Sequence, residues 1–156
     1  MRSIIRALAV AFVATAVAIT GTPAVAAAVP PEIFLLIAEI PGGSTDAKHP
    51  REIVIDSFSF GATRVGDDGT GGGGATGKVV FQDLHLTKKP DVASPLLFQG
   101  IVQGKHYVQA VLSVEKPGPG QTPYLIITMK DVLISSYHTN GGTEAVSLHF
   151  DEVTLG

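Results

Sequence analysis

The 156-residue chain contains no cysteine, and that absence alone closes several routes. An exported fold of this size must be held by its core and not by disulfides. Lipid attachment at a cleavage-site cysteine, thiolate metal sites and a thiol nucleophile are all excluded. Positive charge is also scarce, at 11 Lys and Arg against 14 Asp and Glu. The only adjacent basic pair past the N-terminal segment, Lys88-Lys89, reads as a solvated strand end. Nucleic-acid binders cluster cations to displace counterions, so this balance argues against a nucleic-acid partner.

Long apolar runs are missing too, except at the start. Arg2 and Arg6 precede a nearly unbroken apolar stretch from Ile4 to Ile19, Gly21 to Pro23 break it, and Ala24-Val25-Ala26 forms a small-x-small cleavage signal. The stretch is only about 15 residues, short of the roughly 20 that span a bilayer. Residues 1–26 therefore read as a signal peptide cut between Ala26 and Ala27. Removing them takes away two arginines, leaving 9 basic against 14 acidic residues in 130, a net −5. The expected product is one secreted domain, 27–156, with no membrane association once the leader is gone.

Past Ala27 the apolar residues recur with period two, the mark of half-buried strands. From Lys105 to Lys116, Val108, Ala110, Leu112 and Val114 share one face; from Glu144 to Val153, Val146, Leu148 and Phe150 alternate with Ser147, His149 and Asp151. Further strands are expected at Glu32 to Ile40, Glu52 to Gly61, Lys78 to Thr87 and Pro123 to Ser136, the last bent near Asp131. Six or seven strands result. Pro41-Gly42-Gly43, Pro117-Gly118-Pro119-Gly120 and Asn140-Gly141-Gly142 supply the reversals. One helix interrupts them, with Ser94 as N-cap, Pro95 at its first position and Gly104 at its end. Its i,i+4 pairs Leu97–Ile101 and Phe98–Val102 are expected to face a sheet. The fold class is mainly β, a barrel or sandwich with one short flanking α-helix.

No arrangement in the sequence organises catalysis. The glycine run ending at Gly77-Lys78 approaches a phosphate loop, but Val79 stands where a magnesium-binding hydroxyl belongs and the chain continues as strand. His49, His85, His106, His138 and His149 lie in separate segments without metal-site spacing, although His149 and Asp151 share a strand face. No G-x-S-x-G elbow is present, and Asp46 with Asp56, or Asp67 with Asp68, are weak carboxylate pairs. No cofactor and no metal are expected, and the reading is non-enzymatic.

The ordered motifs resemble the haemolysin co-regulated protein (Hcp) family, which supplies the inner tube of type VI secretion systems. Its carriers are Phe34 and Ile37, Gly43-Ser44-Thr45-Asp46 with Lys48-His49, Glu52-Ile53, and Ser57-Phe58-Ser59-Phe60-Gly61. They continue through Gly77-Lys78-Val79, Phe81-Gln82-Asp83-Leu84, Thr87-Lys88-Lys89, Asp91, Ala93-Ser94-Pro95-Leu96-Leu97 and Gly104-Lys105-His106. Tyr124 to Met129, Asp131 to Ser136 and Val146 to Phe150 complete the set. The resemblance implies a two-sheet β-barrel with a helix at its side and self-association into six-membered rings that stack. It also implies small effector proteins as cargo and a lumen-facing position for Ser59, which could equally just fill the polar face of its strand. Two departures stand out. Such tube proteins ordinarily carry no cleavable leader, and many continue beyond the equivalent of Gly156, so export apart from the usual machine and altered stacking or barrel closure are expected. The other reading of the residues is a monomeric secreted β-barrel that binds a partner through its loops.

Overall fold

The computed structural model describes residues 28–65, 78–120 and 122–156. The leader 1–26, its cleavage point at Ala26 and Ala27, Asp67 and Asp68, and the glycine run up to Gly77 lie outside the described residues. Ten strands and one helix follow: β1 (Glu32–Ile37), β2 (Ile53–Ile55), β3 (Ser57–Ser59), β4 (Ala62–Val65), β5 (Lys78–Phe81), β6 (Leu84–Lys88), α1 (Ser94–Gln103), β7 (His106–Glu115), β8 (Pro123–Thr139), β9 (Glu144–His149) and β10 (Glu152–Leu155).

Eight strands form one antiparallel sheet in the order β2-β1-β7-β8-β9-β6-β3, with β10 beside β8, while β4 and β5 make a separate two-stranded ribbon. The chain is mainly β with one short helix and falls into two sheets, as expected, but the expected barrel is not closed. The first and last strands of the order, β2 and β3, are consecutive in the chain and separated by Asp56 alone. The sheet therefore curls until its ends meet, and a single bond from Asp56 N–H to Thr87 O crosses there at 2.8 Å. No ladder joins β2 to β6, so the curl is not a closed barrel.

Alternation puts Ile33, Leu35 and Ile37 of β1, Leu84 and Leu86 of β6, Leu112 and Val114 of β7, Ile127 and Met129 of β8, and Val146 and Leu148 of β9 into one core. The expected faces hold from Glu144 to Phe150, which closes the core, but the single strand expected over Glu144 to Val153 breaks at Phe150-Asp151 into β9 and β10. In β7 the phase slips: Tyr107 is buried, whereas Val108 is 86% exposed. The cause lies across the ladder. Tyr107 pairs with Val132 and Gln109 with Lys130, and the residue between those partners, Asp131, has φ 49, a left-handed conformation that rotates the strand. This is the bend expected near Asp131.

The helix spans the expected residues, but its N-cap is Ala93, with no side-chain cap bond. Ser94 is drawn elsewhere, its hydroxyl accepting Asp91 N–H and donating to Glu144. At the other end Gly104, at φ 58, sends its N–H back to the carbonyls of Gly100 and Ile101. Leu97 and Gly100 face the sheet with Ile101 beside them, whereas Phe98 and Val102 are exposed, so only one of the two i,i+4 pairs turns inward.

Candidate functional site

The outer surface of β3, β6, β9 and β8 is built from hydroxyls and imidazoles. Inward Phe58, Leu86, Val146 and Leu148 fix the pleat, so their neighbours Ser57, Ser59, His85, Thr87 and Ser147 point outward. Register then places Ser57 opposite Thr87, their hydroxyls in contact, and Ser59 opposite His85. His85 Nδ1 meets Ser147 Oγ at 2.7 Å, and Ser136 Oγ donates to Ser147 Oγ at 2.7 Å. One rung along, His149 Nδ1 lies 2.8 Å from Asp83 Oδ1, while Ser135 Oγ donates to Asp83 Oδ2 at 2.6 Å. Burial works to raise the Asp83 carboxyl, but hydrogen bonds from Ser135 and His149, with the charges of both histidines, hold it below the usual carboxylate range. Ser57, Ser59, His85 and Ser147 line a shallow hollow of about 190 Å³ on this face.

These groups do not make a hydrolytic relay. Ser135 is bonded to the carboxylate and not to an imidazole, and Ser147 is buried under Ser136. His149 turns to Asp83 and not to Asp151. Among the described residues no three His, Asp or Glu side chains are grouped as metal ligands. What the surface offers is a dense set of hydroxyl and imidazole groups around one satisfied carboxylate.

Two further clusters tie the sheet to its loops, and neither was legible beforehand. Lys88 is 1% exposed, which overturns its reading as a solvated strand end. Its Nζ donates to Glu144 Oε2 at 2.7 Å, Asp91 Oδ1 at 2.8 Å and Lys89 O at 2.8 Å, so the charge is fully paired. Tyr137 OH donates to Glu144 Oε1 at 2.8 Å, and Asp91 Oδ2 accepts Gly43 N–H at 3.1 Å. β6, α1, β8, β9 and the 41–51 loop thus meet at one point.

The second cluster centres on His49. Asp46 Oδ1 accepts the N–H groups of Lys48 and His49, which shapes the loop and lays the His49 ring flat on Phe34, 4.4 Å between centroids. Its Nδ1 faces Glu52 at 3.0 Å and its Nε2 faces Glu115 at 2.6 Å. Phe34 is buried because this loop covers the outer face of β1.

The model of the family described as "Type VI secretion system effector, Hcp" matches residues 34–156. The chain belongs to the Hcp family. It is 42% identical over 131 residues to Protein hcp1 of Pseudomonas aeruginosa, covering 80% of this chain and 81% of that protein. The crystal structure of Hcp1 from Salmonella typhimurium superposes with a TM-score of 0.64 at 32% identity, over 79% of this chain and 83% of the other. A structure described as a type six secretion system protein gives a TM-score of 0.72 at 27% identity, covering 80% and 82%. The type VI tube-component reading is thereby favoured over the solitary binding module. The Phe58-Ser59-Phe60-Gly61 motif of this Hcp chain now has a physical basis. Phe58 packs on the core, and Phe60 stacks on Phe81 and tilts against Phe150 at the root of the ribbon, which leaves Ser59 outward.

Proposed function

We propose that the chain is an exported structural protein that self-assembles into six-membered rings able to stack, with the Ser59 face lining the lumen. The observation that carries this reading is the family match combined with surface that one subunit leaves bare. On the β4–β5 ribbon Val65, Val79, Val80 and Phe81 are all exposed, and a two-stranded ribbon with no covered face is marginal alone. Self-association covers such a ribbon. The hydroxyl and imidazole face suits the opposite task, since side chains already bonded to one another let a small folded effector pass without sticking.

Export in this reading follows cleavage between Ala26 and Ala27, and no helix among the described residues is long and apolar enough to cross a membrane. Light scattering on the processed protein at micromolar concentration, with imaging of the particles, tests assembly directly. Ring mass is the expected result; a one-subunit mass returns the solitary binding module. Mass spectrometry of protein from the medium checks the leader, with Ala27 expected as the first residue.

A further inference from the structure

Three of the chain's five histidines stand on one face. On β9 the outward positions are Ala145, Ser147 and His149, and register sets His138 of β8 beside Ala145 and His85 of β6 beside Ser147. The imidazoles therefore follow β9 at steps of about 7 Å, one for each outward position. All three residues are exposed. The outward positions of β3, β6 and β9, and the length of β8 that pairs with β9, carry no lysine or arginine, so positive charge on this face comes from histidine. Among the described residues Asp83 is its one carboxylate, bonded to His149 and near enough to His85 to feel its charge. The other neighbours are neutral: Ser59, Ser136 and Ser147 around His85, and Thr139, Asn140 and Thr143 around His138. Glu144, the next acid along β9, turns inward to Lys88 and Tyr137.

We propose that this face is a proton-gated binding surface for an acidic polypeptide, which it holds when the three imidazoles are charged and releases when they are neutral. Histidine is the side chain whose charge changes between pH 5 and 8. Asp83 stays ionised over that range: burial works to raise it, but the bonds from Ser135 and His149 hold it below the usual carboxylate range. With neutral imidazoles the face carries −1 from Asp83; three imidazolium charges added to −1 make it +2. Nδ1 of His85 is taken by Ser147 and that of His149 by Asp83, which leaves the Nε2–H of each imidazolium to meet the partner. An extended segment repeats its same-side residues at the spacing of β9, about 7 Å, so carboxylates on alternate residues reach successive imidazoles. A nucleic acid fits less well, because residues 27–156 hold 9 basic against 14 acidic residues and repel dense negative charge elsewhere on the surface. The surface is complete on one subunit, so this inference goes beyond the assembly reading and does not depend on it. Six copies around one lumen add avidity.

Fluorescence anisotropy of a labelled oligo-aspartate peptide on the processed protein, at low salt, tests the surface. The peptide is expected to bind about tenfold tighter at pH 5.5 than at pH 7.5. The His85→Gln/His138→Gln/His149→Gln protein should bind it weakly and equally at both. His106→Gln should behave as the unaltered protein does, since His106 sits beyond the bend and is bonded to Asp131 at 2.7 Å. An affinity independent of pH, or one that the triple variant retains, overturns the proposal; so does an oligothymidylate that binds at pH 5.5 as tightly as the peptide. In the unaltered protein the imidazole Cε1–H resonances of His85, His138 and His149 should move when peptide is added at pH 5.5, while that of His106 stays. Unmoved resonances at all four overturn the proposal even where the triple variant fails to fold. Light scattering on the same samples separates the two readings, because peptide binding by a one-subunit particle supports this surface and removes the ring.

Discussion

Lys88 and Glu144 show what a single residue can hide. Both are buried, and the pair is satisfied only because Asp91, Ser94, Tyr137 and the Lys89 carbonyl converge on it. Removing one partner strands a charge in the core, so Lys88→Met is expected to cost about 3–5 kcal/mol. Lys88→Met/Glu144→Gln should cost clearly less than the sum of the single changes, and urea unfolding of the four proteins measures the coupling. The same cluster sets two pH limits. Burial first and Glu144 second push the Tyr137 phenol up to about 12 from 10.0. The folded state binds that proton more tightly, so its contribution is complete below pH 10 and lost as pH rises toward 12. Glu144 runs the other way: burial raises it, but hydrogen bonds from Lys88, Tyr137 and Ser94 outweigh that and hold it below 4.5. Its contribution is present above that value and disappears as pH falls through the folded pKa. The urea midpoint should therefore fall at both extremes, and Tyr137→Phe should flatten the alkaline limb and also weaken the acid limb, because it removes one of the hydrogen bonds that hold Glu144 down. The Lys88-Lys89 dipeptide carried no sign of this, because its buried counter-charge Glu144 lies 56 residues away and only the β6–β9 register brings it near.

The elements tell more about what their sequences contain. Period-two alternation placed β1, β7, β8 and β9, and Pro95 with Gly104 bracketed the helix. What stayed hidden was set by tertiary contact. β4 was not expected, since Ala62–Val65 has no buried face and is held by β5 alone; Val108 left its expected face because Asp131, across the ladder, takes a left-handed turn. Asp131→Gly should hold or raise stability, whereas Asp131→Val should lower the melting temperature, because a β-branched residue resists positive φ. Gly100 is fixed by a similar contact. A Cβ there would run into Tyr107 OH and crowd Ile134 Cδ1 at 3.0 Å, so α1 lies close on β7 and β8 only because that side chain is missing. Gly100→Ala gains helix propensity yet is expected to lose about 1–3 kcal/mol from overpacking. Tyr107→Phe, which removes the hydroxyl in the way, should recover part of that loss in the double variant, as read by urea midpoints.

At the scale of the whole molecule, the interior is fully served and the outside is not. Every described buried side-chain nitrogen and oxygen has a partner, yet among the described residues the ribbon, the sheet edges at β2, β3 and β10, and Leu155 are left bare. Sequence motifs pointed to the family; which sheet edges stay open became readable only once the strand order was known. The ribbon offers the broadest test of the collective state. With both strands exposed, its backbone bonds should open readily in a lone subunit, so amide exchange at residues 62–65 and 78–81 is expected to be fast on dilution to one-subunit mass. In assembled particles the same amides should slow markedly while the β7–β8 core ladder exchanges slowly in both. Equal, fast exchange of the ribbon in rings and single subunits would show that its apolar residues remain uncovered after assembly, and the ribbon would then have to be struck from the contacts that build the ring.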